Sequence, residues 1–75
     1  MVELVSAIAK SLVEHPEAVT VTEVDGDEGI VLELRVAEDD MGKVIGKQGR
    51  IAKAIRTVVK AAANRENKRV SVEII

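Results

Sequence analysis

The stretch Met41-Gly42-Lys43-Val44-Ile45-Gly46-Lys47-Gln48-Gly49-Arg50-Ile51 decides how the rest of the chain is read. Two glycines separated by two polar residues make a tight turn. A glycine also lets the backbone pass close to a ligand where a β-carbon would obstruct it. C-terminal to the turn, Arg50 to Asn64 has helical periodicity. At about 100° per residue, Ile51, Ile55, Val58, Val59 and Ala62 fall on one side, and Lys53, Arg56, Thr57, Lys60 and Asn64 on the other. A helix that begins at the turn directs its unsatisfied amide groups and positive dipole end toward whatever the turn holds. Lys43, Lys47 and Arg50 add full charges around the same point. Phosphate is the natural occupant.

Working outward, Glu38, Asp39 and Asp40 stand where a short helix would begin, since carboxylates favour the positive end of a helix dipole. That helix ends at the glycine pair Gly46 and Gly49. Before it, Ile30, Leu32, Leu34 and Val36 alternate with Val31, Glu33 and Arg35, the clearest strand pattern in the chain. Asp25-Gly26-Asp27-Glu28-Gly29 reads as a hairpin turn, and Val19 and Val21 alternate with Thr20 and Thr22 as a β-branched strand. Val2, Val5, Ile8, Ala9, Leu12 and Val13 follow helical spacing, with Pro16 stopping that helix. Val70, Val72 and Ile74 make a last strand. The order α-β-β-α-α-β predicts a single α+β domain over residues 1–75, three helices packed on one face of a three-stranded mixed sheet.

At 75 residues there is room for one domain, and folding removes roughly 60% of the surface of so short a chain. An apolar content of 47% argues against disorder despite 32% charged residues. There is no cysteine, which excludes disulfides and thiolate metal sites and permits a reducing cytoplasm. The apolar runs fall short of the ~20 residues that span a bilayer, and Met1-Val2-Glu3-Leu4 lacks the basic start of a secretory signal. A soluble, untargeted protein is expected. Phe, Tyr and Trp are absent, so the core must be aliphatic and bases cannot be stacked on aromatic rings. The net charge of −2 hides a strong polarity. Residues 1–40 hold eleven of the thirteen acids against Lys10 and Arg35, whereas residues 41–75 hold the other nine bases against Glu66 and Glu73. One part of the surface is made for an anion and another repels it.

Three phosphate-binding motifs compete for the glycine stretch. A P-loop needs four residues between its glycines and a hydroxyl after the lysine. Here three residues separate Gly42 from Gly46, and Gln48 follows Lys47. A dinucleotide fingerprint needs G-x-G-x-x-G inside a βαβ unit, and both spacing and topology fail. What remains is a G-x-x-G loop between two helices, the element with which KH domains clamp about four nucleotides by their backbone.

Val44-Ile45-Gly46-Lys47-Gln48-Gly49-Arg50-Ile51, followed by Ala54-Ile55-Arg56, resembles the core signature of the KH domain. The α-β-β-α-α-β order resembles its type II, prokaryotic form, and the whole chain resembles the small bacterial single-KH-domain RNA-binding proteins of the KhpA family. The resemblance implies a cytoplasmic binder of single-stranded RNA, acting as an RNA chaperone or post-transcriptional regulator. It implies pairing with a second KH protein, KhpB, and a link to peptidoglycan homeostasis and cell length. Carried over by position, Gly46 and Gly49 admit the RNA backbone, with Lys47 and Gln48 at the loop tip. Val44, Ile45 and Ile51 offer aliphatic contacts to bases, core packing being the alternative for Ile45 and Ile51. Lys43, Arg50 and Lys53 reach phosphates. Arg35 either lines the groove or pairs with Glu33 or Glu73.

An enzyme is not expected, and neither a cofactor nor a metal is implied. His15 is the sole histidine and stands beside Pro16 at a helix end, where a solvated turn residue is the expected role. Asp39 and Asp40 read as helix-start caps rather than as an acid/base or Mg²⁺ pair. One loop holding about four nucleotides gives little selectivity, so a homodimer or heterodimer is the expected working form. Two other readings stay open: a protein-interaction module with minor nucleic-acid binding, and a binder of single-stranded DNA.

Overall fold

A computed structural model describes all of residues 1–75. Helix α1 spans Val2–Leu12, strands β1 and β2 span Thr20–Gly26 and Gly29–Arg35, α2 spans Met41–Ile45, α3 spans Arg50–Arg65 and β3 spans Val70–Ile74. Short 3-10 turns occupy Pro16–Ala18, Glu38–Asp40 and Lys47–Gly49. The sheet order is β1-β2-β3, with β1 antiparallel and β3 parallel to β2. This is the α+β, type II KH-like arrangement that the hydrophobic pattern predicts.

The alternation in β2 becomes two faces. Leu32 and Leu34 are fully buried and pack with Val5 and Ala9 of α1, Val44 of α2, Ile55 and Val59 of α3 and Val72 of β3. Thr20, Thr22, Arg35, Ser71 and Glu73 are exposed on the opposite face, which no helix covers. Arg35 is therefore directed away from the helices, and no carboxylate pairs with it within 4.0 Å. Strand β1 runs further than the Val-Thr alternation indicates: its ladder continues through Asp25↔Ile30 to Gly26↔Gly29, leaving Asp27-Glu28 as the hairpin loop.

Two expectations about the helices are corrected. The core side of α3 consists of Ala52, Ile55, Val59 and Ala63, and Val58 is 45% exposed. The buried side is turned by roughly 60° from the apolar projection, toward the buried Ala52 and Ala63 and away from Val58. The second correction concerns Asp40. It precedes α2 but makes no capping hydrogen bond there, and its carboxylate is completely buried.

Candidate functional site

Helix α2 is only five residues long, and its last turn closes with the Gly46 N–H donating to the Gly42 carbonyl at 2.8 Å. The chain then reverses through a loop in which three of four residues are left-handed: Gly46 at φ 75°, Gln48 at 58° and Gly49 at 72°. Lys47, between them, is exposed. The Gly49 N–H reaches back to the Gly46 carbonyl at 3.2 Å and the Arg50 N–H to that of Lys47, so the loop is held by its own backbone. Gly49 is the N-cap of α3 and supplies no capping side chain, and the first amide of the helix, that of Arg50, is taken up by the Lys47 carbonyl.

The two glycines serve different ends. A β-carbon on Gly46 would stand 2.6 Å from Cγ1 of Ile51, so this glycine is required by the packing of α2 against α3 as well as by its dihedral. A β-carbon on Gly49 would meet nothing within 4 Å. Space is open there, and only the left-handed backbone demands glycine. Gln48 adopts a similar conformation without being glycine, at a cost of roughly 1–2 kcal/mol.

The predicted site residues separate into three groups. Lys47, Gln48, Arg50 and Lys53 are exposed around the loop and the start of α3, and Lys47, Arg50 and Lys53 have no carboxylate within 4.0 Å. Ile45 is 36% exposed beside them, and Ile51 is half-buried behind Gly46. Val44 is a core residue with no exposed surface, so its side chain anchors α2 beneath the loop and is not free to meet a base. Lys43 is turned elsewhere: its Nζ lies 2.9 Å from Glu14 and 3.7 Å from Asp40. The hydrogen bond with Glu14 is the main reason that its pKa is raised above 10.5, with Asp40 adding to the effect.

Reasoning along the sequence did not anticipate this cluster. Asp40 accepts the backbone N–H of Glu14 at 3.2 Å and of His15 at 3.0 Å, tying the end of α1 to the start of α2. Burial by itself would raise the Asp40 pKa; the two N–H donors, His15 and Lys43 outweigh it and hold the carboxyl below 3.8. Asp39 is exposed, so the two aspartates form no acidic pair. The His15 side chain is at the surface, 3.5 Å from Glu17. A second missed contact lies on α3, where the Arg56 Nε–H donates to the Val72 carbonyl at 3.2 Å.

One cleft stands away from the loop. It lies at the far end of α3, between the Gly26–Gly29 hairpin and Lys60, Asn64 and Arg69, with Asp27 and Glu28 on its rim. There Lys60, Lys68 and Arg69 share the lining with two acids, whereas no carboxylate lies within 4.0 Å of the exposed Lys47, Arg50 and Lys53 around the loop and the first turns of α3. No helix is long and apolar enough to cross a membrane.

Comparison with known proteins agrees with this architecture. The family described as "KhpA/KhpB, KH domain" matches residues 2–74. Proteins named RNA-binding protein KhpA are similar over the full chain: that of Clostridium perfringens is 73% identical, covering 100% of both chains. That of Caldanaerobacter subterraneus is 67% identical with the same coverage, and that of Listeria monocytogenes is 51% identical, covering 100% of this chain and 99% of its own. Among solved structures, an Aquifex aeolicus Era variant bound to GDP.AlF4- superposes with a TM-score of 0.59 at 25% identity. The match covers 97% of this chain and 28% of the Era chain. The fold, the glycine loop and these full-length likenesses agree: the chain belongs to the KhpA/KhpB KH-domain family, which is not a family of enzymes.

Proposed function

We propose that the chain binds single-stranded RNA by clamping its phosphate backbone on the Gly46-Lys47-Gln48-Gly49 loop. The observation that carries this reading is the loop itself. Its left-handed residues turn Lys47 and Gln48 outward, with open space above Gly49 and three unpaired cations, Lys47, Arg50 and Lys53, around it. The names of the relatives support RNA as the ligand. Within the site, Gly46 and Gly49 shape the loop, Ile45 and Ile51 supply the aliphatic wall for bases, and Val44 supports it from the core. Lys43 acts through its ion pairs with Glu14 and Asp40 rather than on phosphate.

A single loop of this reach holds about four nucleotides, so a second domain provides avidity. Self-association is supported by Val58, which is exposed with Ala54 and Ala61 on the same side of α3. A KhpB-like KH protein is the other candidate partner, in keeping with the family description. A role as a cytoplasmic RNA chaperone or regulator, with effects on the cell wall and cell length, would follow from the RNAs bound by such a pair.

Backbone amide shifts during titration with a short random single-stranded RNA test the assignment. The expected shifts cluster at residues 45–53. Shifts confined to the helix-free sheet face, or none at all, would contradict it.

A further inference from the structure

Antiparallel pairing uses the backbone groups of every second residue, and the others point away from the partner strand. In β2 the Ile30 N–H donates to the Arg69 carbonyl and the Leu34 carbonyl accepts the Ile75 N–H, so these two residues face β3. By the two-residue period, Val31, Glu33 and Arg35 face β1, where their partners are Val24, Thr22 and Thr20. The backbone groups of Val21, Glu23 and Asp25 therefore point outward, along the free edge of the sheet. Nothing else in the chain takes them up: no turn, cap or side-chain hydrogen bond involves residues 20–26.

A free edge is usually blunted by brevity, a bulge, a proline or a lysine. β1 has none of these. It is seven residues long, its register against β2 is unbroken, and it holds neither proline nor lysine. What it does hold is Glu23 and Asp25, both exposed, on one side of the strand and without a base within 4.0 Å. Between Lys10 and Arg35 the chain has seven acids and no lysine or arginine. A second copy pairing along this edge would bring the same acids across it, with no base to meet them. A strand with basic side chains at alternate positions would meet opposite charge instead.

We infer that the free edge of β1 is a docking site for an extended basic segment of a partner protein, which joins the sheet as a further strand. The outward N–H and C=O groups of Val21, Glu23 and Asp25 bind its backbone. Glu23 and Asp25 select lysine or arginine at two positions of the segment, spaced two residues apart. β1 and β3 are opposite edges of the sheet, and the site shares no residue with the glycine loop.

The probe is a blocked peptide of the same length as β1, alternating lysine with valine and threonine, titrated against the full chain and followed by amide hydrogen exchange. Exchange at Val21, Glu23 and Asp25 should slow at least about tenfold with the peptide in excess. The same peptide with backbone N-methyl groups at its lysines keeps its charge but cannot pair, and should bind about tenfold more weakly or not at all. Glu23→Lys/Asp25→Lys changes two exposed positions, so it should fold, lose about tenfold in affinity for the lysine peptide and gain affinity for its glutamate counterpart. Equal binding of the N-methylated peptide would reduce the contact to charge attraction and overturn the inference. No binding of the lysine peptide at millimolar concentration overturns it as well. Protection of the same amides without peptide, growing with protein concentration, would assign the edge to a second copy of the chain and exclude the basic partner.

Discussion

The carboxylate of Asp40 accepts the backbone N–H of His15 at 3.0 Å, joining positions 25 residues apart. With the second bond, from Glu14, it holds the C-terminal end of α1 against the start of α2, and α2 carries the glycine loop. Lys43 and Glu14 close the same cluster from outside. Placement of the loop thus depends on a buried charge some distance from it.

This arrangement has a pH signature. The Asp40 pKa is below its ordinary 3.8 in the folded chain, so its stabilising contribution is fully present above pH 3.8 and is lost as pH falls through the lower folded value. Thermal unfolding followed by circular dichroism should show wild-type stability decreasing below pH 3.8. Asp40→Asn should be less stable at neutral pH and flatter in that acid range, whereas Asp39→Asn should resemble the wild type. An Asp40→Asn chain as stable as the wild type at pH 7 would remove Asp40 from this role.

The two loop glycines should differ in cost. Gly49→Ala pays only for the left-handed backbone and should lose about 1–2 kcal/mol. Gly46→Ala adds the collision with Ile51 and should lose about 2–4 kcal/mol. Urea denaturation of the two variants measures the difference. Equal losses would mean that Ile51 yields without cost.

The sheet and the helices were legible because period two and period 3.6 separate cleanly in β2, β3 and α1. The loop was legible because glycine spacing is a local property. Three features were not. Asp40 finds its partners 25 and 26 residues away, and nothing in Glu38-Asp39-Asp40 distinguishes the buried acid from its exposed neighbours. Lys43 belongs by sequence to the basic stretch but in space to Glu14. Hydrophobicity places Val58 on the apolar side of α3, whereas the buried residues are Ala52, Ile55, Val59 and Ala63, and a projection by hydropathy undervalues the two alanines.

Because Val58 is 45% exposed, Val58→Lys should leave the stability of the isolated domain nearly unchanged. If the exposed side of α3 mediates self-association, the same change should shift light-scattering mass toward the monomer at high micromolar concentration. A wild type that is monomeric there, with or without RNA, would count against a homodimer and leave the second KH protein as the partner.

Three free cations at the loop, Lys47, Arg50 and Lys53, set the salt dependence. At a slope of about −0.7 per phosphate on a single strand, RNA affinity should fall roughly a hundredfold for each tenfold rise in salt. Lys53→Gln should reduce the slope by about 0.7, measured by fluorescence anisotropy across a salt series. An unchanged slope would place Lys53 off the phosphate path.

The most direct measurement is the affinity of a short random single-stranded RNA for the wild type and for Lys47→Asp/Gln48→Asp at low and moderate salt, with folding checked by circular dichroism. Aspartate tolerates the left-handed conformation of position 48, and both side chains are exposed, so the variant should fold. The clamp account predicts a folded variant that has lost RNA binding at both salt concentrations. A folded variant that binds as tightly as the wild type would contradict it.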